Sequence, residues 1–298
     1  MRARLLLTTA CVLLVSARPA SAAIPASRAA AAGPEHIVVM VFENHEADTI
    51  MGAHSEAPYF RSLAHRSVTL SRLFAITHPS LPNYLALTSG STHGVHSDCT
   101  TCVVRSRNIV DQLERASIPW KAYMESMPGV CSTVPWSGSY AMKHDPFMYY
   151  TDIRDDAGRC GNVVPLEHLR YDLASDSLPR FAWITPNSCH DMHDCTIATG
   201  DRFLRTWMSR LLPALGSNGI VVVVFDEGVT ATGCCQGQAA GGHIVGIIAG
   251  PGAGVDVTIR IPLNQYSILR LIEDAWGLPA LGEAAHAPVL DGWQAPGA

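Results

Sequence analysis

An α/β sandwich built on a mostly parallel sheet is the fold the sequence predicts, and two patterns predict it. Valine-rich apolar runs at 37–42, 181–184, 220–225 and 244–249 are stopped abruptly by polar residues. Strands buried on both faces read this way. Between the runs lie stretches of helical periodicity at 57–66, 83–89, 108–116, 200–215 and 264–276. Strands alternating with helices place the helices over a parallel sheet.

The first element in chain order is a leader. Met1-Arg2-Ala3-Arg4 precedes a mostly apolar stretch from Leu5 to Val15, and Ala20-Ser21-Ala22 offers small residues for cleavage. This is the pattern of a secretory signal peptide over residues 1–22, and it predicts a secreted protein, extracellular or held in the cell envelope. Its apolar core is too short to span a bilayer, and no later stretch reaches about 18 uninterrupted apolar residues, so no transmembrane anchor is expected. Cys11 lies inside the apolar region rather than after it, which argues against a lipoprotein. Residues 23–35 are alanine-rich and are expected to be disordered. Residues 36–298 contain no linker and no repeat and are expected to form a single domain.

The run 37–42 ends in Glu43 and Asn44, and the run 220–225 ends in Asp226 and Glu227. Ligands gather outside the carboxyl ends of strands in open α/β sheets, so these four residues are expected at one edge. Hard oxygen ligands of this kind suit a divalent cation. The segment His78-Pro79-Ser80-Leu81-Pro82-Asn83 enters the helix expected at 83–89. A serine here is either an ordinary N-cap or a group placed where helix amides receive a phosphate. Asn83, one turn on, either donates to a phosphoryl oxygen or is ordinary early-helix polarity. No G-x-S-x-G elbow is present, so activation of Ser80 by a metal is the favoured route over a histidine triad.

Residues 125–180 have little periodicity and are expected to form an insertion or cap beside the site; Lys143-His144 falls within them. After the strand 181–184 comes the densest polar cluster, Asn187-Ser188-Cys189-His190-Asp191-Met192-His193-Asp194-Cys195. It is either a solvated loop closed by a Cys189–Cys195 bond or a source of site groups, with His193 and the aspartates as phosphate donors, leaving-group acid or metal ligands. The last helix, 264–276, starts after Pro262 and stops at Gly277.

Charge and cysteines bound the function. The formal charge is −5, and losing Arg2, Arg4 and Arg18 with the leader takes it to −8. That excludes the basic footprint of a nucleic-acid or anionic-membrane binder, and means an anionic substrate needs local positive charge. Besides Cys11 there are eight cysteines, at 99, 102, 131, 160, 189, 195, 234 and 235. An even number in an exported chain reads as disulfides. Zinc at Cys99-Thr100-Thr101-Cys102 lacks the second CxxC pair it would need. A bond between the neighbours Cys234 and Cys235 is strained, so different partners for each are expected.

Taken in order, Phe42-Glu43-Asn44, Thr77 to Leu87, Lys143-His144, Pro186-Asn187 with Met192-His193-Asp194, Gly200-Asp201 and Phe225-Asp226-Glu227 resemble the bacterial phosphoesterase family of secreted acid phosphatases and phospholipases C. The small secreted acid phosphatases, including those acting on phosphatidylinositol 3-phosphate, are the members it resembles most. The resemblance spans nearly the whole mature chain and implies an alkaline-phosphatase-like three-layer sandwich. It implies a divalent metal, of unspecified identity and count, held by Glu43, Asn44, Asp226 and Glu227, with Ser80 as nucleophile and metal neighbour. Asn83 would hold the phosphoryl group, His144, His193 and Asp194 would line the pocket, and Asp191 falls where relatives with two metals carry a ligand. Some relatives have aspartate where Glu227 stands. The activity implied is a metal-dependent phosphomonoesterase working through phosphoserine on a small or phospholipid-derived monoester. A phospholipase C or other phosphodiesterase, and a non-catalytic exported binding protein, are the alternatives.

Overall fold

The computed structural model describes residues 33–295. The expected leader at 1–22 and nearly all of the alanine-rich segment lie outside the described residues. The eight-stranded main sheet runs in the order Val257–Ile259, Val68–Leu70, Gly246–Ala249, Ile220–Phe225, Ile37–Phe42, Phe181–Thr185, Trp120–Met124, Val163–Pro165. Gly246–Ala249 pairs antiparallel to both its neighbours, and the remaining pairings in this sheet are parallel. This is the mostly parallel sheet expected from the valine runs.

The expected strands at 37–42 and 220–225 occupy the centre and pair in parallel, with Phe42 opposite Phe225. Every residue of both is buried. The expected strand at 244–249 is broken at Val245. His243–Ile244 joins a three-stranded sheet with Leu73–Phe74 and Leu263–Asn264, while Gly246–Ala249 enters the main sheet. Gly246 makes this turn under crowding: a Cβ there would lie 2.7 Å from Leu73 Cδ2.

Part of the segment 125–180 threads into the body. Its strand Val163–Pro165 closes one edge of the main sheet beside Trp120–Met124. The hairpin Trp136–Ser137 with Tyr140–Ala141 leads directly into Met142–His144. Strands of two or three residues carry no readable periodicity, which is why the sequence showed none here.

The expected helices appear as Pro58–His65, Ser80–Ser89, Ile109–Arg115, Ile197–Leu211 and Gln265–Ala275. The second begins three residues earlier than periodicity suggested. Pro82 is tolerated in its first turn, where a backbone N–H would lack an intrahelical acceptor anyway. The last helix opens with a reciprocal cap between Asn264 and Ser267. That cap fixes where Gln265 points.

Phe42, Phe60, Phe203 and Phe225 gather beneath the carboxyl ends of the central strands. Phe42 stacks on Phe225 at 5.7 Å and meets Phe60 edge-on at 5.1 Å. Each such ring contributes about 2–3 kcal/mol of burial, and together they make a dry floor. Four disulfides join Cys99–Cys102, Cys131–Cys160, Cys189–Cys195 and Cys234–Cys235. The last corrects the expectation of separate partners, because the turn at Cys234–Gln238 keeps the neighbours facing each other.

Candidate active site

The parallel pairing of Phe42 with Phe225 places Glu43 beside Asp226 at the carboxyl edge of the sheet. Both carboxylates are fully buried. Asp226 Oδ1 accepts from the backbone of Glu227 at 2.6 Å and of Asn44 at 3.2 Å, while Oδ2 has no hydrogen-bond partner. Asn44 adopts a left-handed backbone, φ 57°, which turns its N–H toward that carboxylate. Gln265 Nε2 donates to the carbonyls of Phe225 and Asp226, at 3.2 and 2.5 Å, and its Oε1 accepts from Ile76 N. One buried amide thus ties the end of the strand to the loop that leads to Ser80.

Ser80 stands at the first residue of its helix and is buried. Its Oγ lies 3.3 Å from Glu43 Oε2 and 3.3 Å from Glu227 Oε1, and Lys143 Nζ lies 3.4 Å away. The hydroxyl has one proton for two carboxylates, so either can accept it. Asn83 is placed differently from expectation. Its Nδ2 donates to Thr77 O at 2.8 Å and Pro79 O at 3.2 Å, and its Oδ1 accepts from Thr77 N at 2.9 Å. Both Nδ2 hydrogens are thus engaged by the loop before Ser80.

His144 Nε2 lies 2.6 Å from Glu43 Oε1, and Nδ1 lies 3.4 Å from Asp191 Oδ2. The ring stacks on Tyr84 at 5.4 Å, and Tyr84 Oη donates to Glu43 Oε1 at 3.4 Å. The polar cluster after 186 is divided by its Cys189–Cys195 staple. Asp191 faces inward and is fully buried. His193 and Asp194 pair with each other at 2.8 Å at the half-exposed mouth, with the His193 ring 6.2 Å from that of His144. His190 turns outward to Glu125 at 2.9 Å and stacks on Phe203. His243 donates through its backbone to Glu46 and places its ring at Ser71 O, away from Ser80.

Four buried carboxylates this close repel one another. Burial raises the pKa of Asp226 well above the ordinary value, and Glu43 and Glu227 raise it further. Burial also raises Asp191 to about 6 and raises Glu227. For Glu43 burial likewise opposes ionisation, but His144 and Lys143 outweigh it and hold the carboxyl down at about 2. Burial disfavours the His144 cation, yet Glu43 and Asp191 raise its pKa to about 9.

Among the described residues two groups of potential ligand atoms each lie within 4.8 Å of one another: Glu43, His144 and Asp191, and Glu43, Asp226 and Glu227. Glu43 belongs to both. Asp226 Oδ2 is buried without a hydrogen bond, and Asp191 Oδ2 has only the 3.4 Å contact with His144 Nδ1. An orphaned buried oxygen, hard donors and surplus negative charge fit a divalent cation. His144, expected to line the pocket, falls among the candidate ligands. Reasoning from sequence missed Asp98, whose Oδ1 accepts from Leu81 N at 3.0 Å and Oδ2 from Lys143 Nζ at 3.1 Å. It also missed the weight of Lys143, signalled only by its place before His144, and that of His78.

The description "Phosphoesterase family" matches residues 53–279. A phosphatidylinositol-3-phosphatase of Mycobacterium tuberculosis is 33% identical over 271 residues, covering 87% of this chain and 82% of that protein. An acid phosphatase of Aspergillus fumigatus is 28% identical over 232 residues, covering 74% of this chain and 51% of that one. A phosphate-repressible acid phosphatase of Penicillium chrysogenum is 31% identical over 234 residues, covering 74% and 54%. The chain therefore spans about half the length of these two fungal relatives. Among solved structures, an alkaline phosphatase superfamily protein from Vibrio parahaemolyticus superposes with a TM-score of 0.59 at 13% identity, covering 87% of this chain and 71% of that one. A phosphonate monoester hydrolase from Silicibacter pomeroyi superposes with a TM-score of 0.56 at 14% identity, covering 83% and 74%. These two establish the alkaline-phosphatase-like fold alone. From the family match and the phosphatase relatives together, the chain belongs to the phosphoesterase family and is a phosphoric ester hydrolase.

Proposed function

We propose that the chain is an exported, metal-dependent phosphomonoesterase that works through a phosphoserine at Ser80. The observation that carries this reading is the setting of Ser80 Oγ, 3.3 Å from each of two carboxylates and 3.4 Å from an ammonium. A hydroxyl so placed can lose its proton while the new negative charge is met by Lys143.

In the proposed sequence, Ser80 Oγ attacks phosphorus in line as its proton passes to Glu227 or Glu43. The bond from phosphorus to the leaving alcohol breaks, and that oxygen takes a proton from the mouth, where His193 stands. Water then attacks the phosphoserine, Ser80 recovers its proton and inorganic phosphate leaves, with net retention at phosphorus. Lys143 holds a non-bridging oxygen throughout, and Asn83 keeps the serine loop in place. Glu43, Asn44, Asp226 and Glu227 would hold a divalent cation beside Ser80, with Asp191 and His144 as the further ligand set. When bound, the cation supplies positive charge that lowers the serine pKa and screens the phosphate.

The relatives' names support a monoester substrate, either a small molecule or a lipid headgroup phosphate. A dianionic monoester presents three non-bridging oxygens to this site, against two for a diester. Export is supported by the four disulfides. Among the described residues no helix is long and apolar enough to cross a membrane.

The test is acid quench of the enzyme during turnover of a radiolabelled aryl monoester. Label should be recovered on the peptide containing Ser80, and Ser80→Ala should abolish both label and turnover. Retention of a tenth of wild-type turnover by Ser80→Ala would sink the assignment. A matched diester hydrolysed faster than the monoester, after correction for intrinsic reactivity, would move the protein to the phospholipase C reading.

A further inference from the structure

His78 lies two residues before Ser80, and both its ring nitrogens are engaged. Nδ1 lies 2.5 Å from Glu227 Oε2, and Nε2 lies 2.9 Å from the carbonyl of Thr230. Nδ1 thus faces a carboxylate and Nε2 a backbone carbonyl. On the other oxygen, Glu227 Oε1 accepts from Ser80 Oγ at 3.3 Å. Among the described residues, His78 and Ser80 are the groups hydrogen-bonded to this carboxylate.

We propose that His78 is a positioning residue for phosphoryl transfer: it holds the outer oxygen of Glu227 so that the inner oxygen stays on Ser80 and on the candidate metal site. The inference rests on the reading of Ser80 as nucleophile. The terminal torsion of a glutamate is broad and prefers no single orientation. Glu227 lies two residues past the strand Ile220–Phe225 and precedes a glycine, so its own neighbours do little to fix that torsion. A donor behind one oxygen fixes it, as outer hydrogen bonds do for ligating carboxylates in general.

The surrounding contacts show that His78 serves Glu227 and is not needed to hold its own surroundings. The loop bearing Thr230 is anchored independently by Glu46. Glu46 Oε1 accepts from Val229 N at 3.1 Å, Thr230 N at 2.9 Å and Thr230 Oγ1 at 2.8 Å, and Oε2 accepts from His243 N at 3.0 Å. The fit is close: a Cβ on Gly228 would lie 2.5 Å from Glu46 Oε1. On the other side, Asn83 clamps Thr77 and Pro79, which fixes the backbone at position 78 whatever its side chain. The histidine is thus a rigid strut between two fixed backbones.

The two ring nitrogens can be separated by substitution. Asparagine places an amide donor near the position of Nδ1, facing Glu227. Glutamine places one near Nε2, facing Thr230. The enzyme is assayed with 4-nitrophenyl phosphate, and Mn²⁺ affinity is measured by calorimetric titration of the stripped protein. His78→Ala and His78→Gln should lower kcat by about 10–100-fold with KM changed by less than about 3-fold, and weaken Mn²⁺ by about 10-fold. His78→Asn should recover most of both losses. The melting temperature of all three stripped variants should stay close to that of wild type. The proposal is overturned if His78→Asn is no better than His78→Ala, or if His78→Gln is the variant that recovers. It is equally overturned if all three lose melting temperature in step with activity, since His78 is then a structural residue. Ser80→Ala is run in parallel. If that variant keeps wild-type turnover, the nucleophile reading fails, while the Mn²⁺ titration still reports whether His78 orients Glu227.

Discussion

Lys143 Nζ lies 3.4 Å from Ser80 Oγ while pairing with Asp98 at 3.1 Å, and Asp98 in turn accepts the amide N–H of Leu81. A lysine from one segment and the helix that carries Ser80 are therefore held by the same carboxylate. The ammonium cannot drift from the serine without breaking a bond that also anchors the first turn of the helix.

Burial works against the Lys143 cation, but Glu43 and Asp98 outweigh it and hold its pKa above the usual lysine value. It stays charged across the working range. Lys143→Met should lower kcat/KM for an aryl monoester by about one to two decades, the value of one charge-assisted contact of about 1.5–3 kcal/mol. Steady-state kinetics with circular dichroism as a fold control checks this. A change under threefold would remove Lys143 from the phosphoryl site.

Asp226 is buried among carboxylates that raise its pKa. Asp226→Asn should abolish turnover and lower metal content. It should also raise the melting temperature of the metal-free protein, because the cost of burying this carboxyl beside Glu43 and Glu227 is gone. Wild type should gain melting temperature with added divalent cation and the variant should gain much less. Metal analysis and thermal melts with and without chelator test both halves. Normal turnover by fully stripped wild type would refute metal dependence.

Glu273 lies away from the site and is fully buried. Its Oε1 accepts from Gln112 at 3.0 Å and from Leu281 N at 2.8 Å, while Oε2 has no partner. Burial raises its pKa to about 7. The folded state therefore binds this proton more tightly than the unfolded chain does. The resulting stability is fully present below about pH 4.3, the unfolded value, and is lost as pH rises through about 7. Glu273→Gln should leave stability near pH 4 little changed and raise it at pH 8 by about 3 kcal/mol. Denaturant melts at the two pH values check the sign; equal effects at both would refute it.

The four disulfides differ in the loops they close. Cys131–Cys160 spans 29 residues, whereas the other three span 6 or fewer. In the chain-entropy account, the long loop contributes about 3–4 kcal/mol. Cys131→Ala with Cys160→Ala should cost about that much, and Cys99→Ala with Cys102→Ala clearly less. Urea melts of both double variants provide the comparison. A larger loss from the short loop would show that native contacts, not chain entropy, govern the difference.

By itself the sequence determined the central sheet and one wall of the site. The runs at 37–42 and 220–225 are long, apolar and bounded by carboxylates, so strand, burial and the placing of Glu43 and Asp226 at one edge all follow from local pattern. Ser80 at a helix start was legible for the same reason. The tertiary structure decided which groups meet there. Asp98, His78 and Gln265 lie in stretches that read locally as turn, loop and helix cap, and they matter only because distant segments converge on Ser80. Asn83 was readable as early-helix polarity, but its donors turn back to Thr77 and Pro79, a choice set by the shape of the loop. The edge strands Val68–Leu70 and Val163–Pro165 are too short to carry a period. Hydrophobic periodicity is a property of neighbours in the chain, and it survives in any long element. The partner of a buried polar group is a property of neighbours in space, and only folding supplies those.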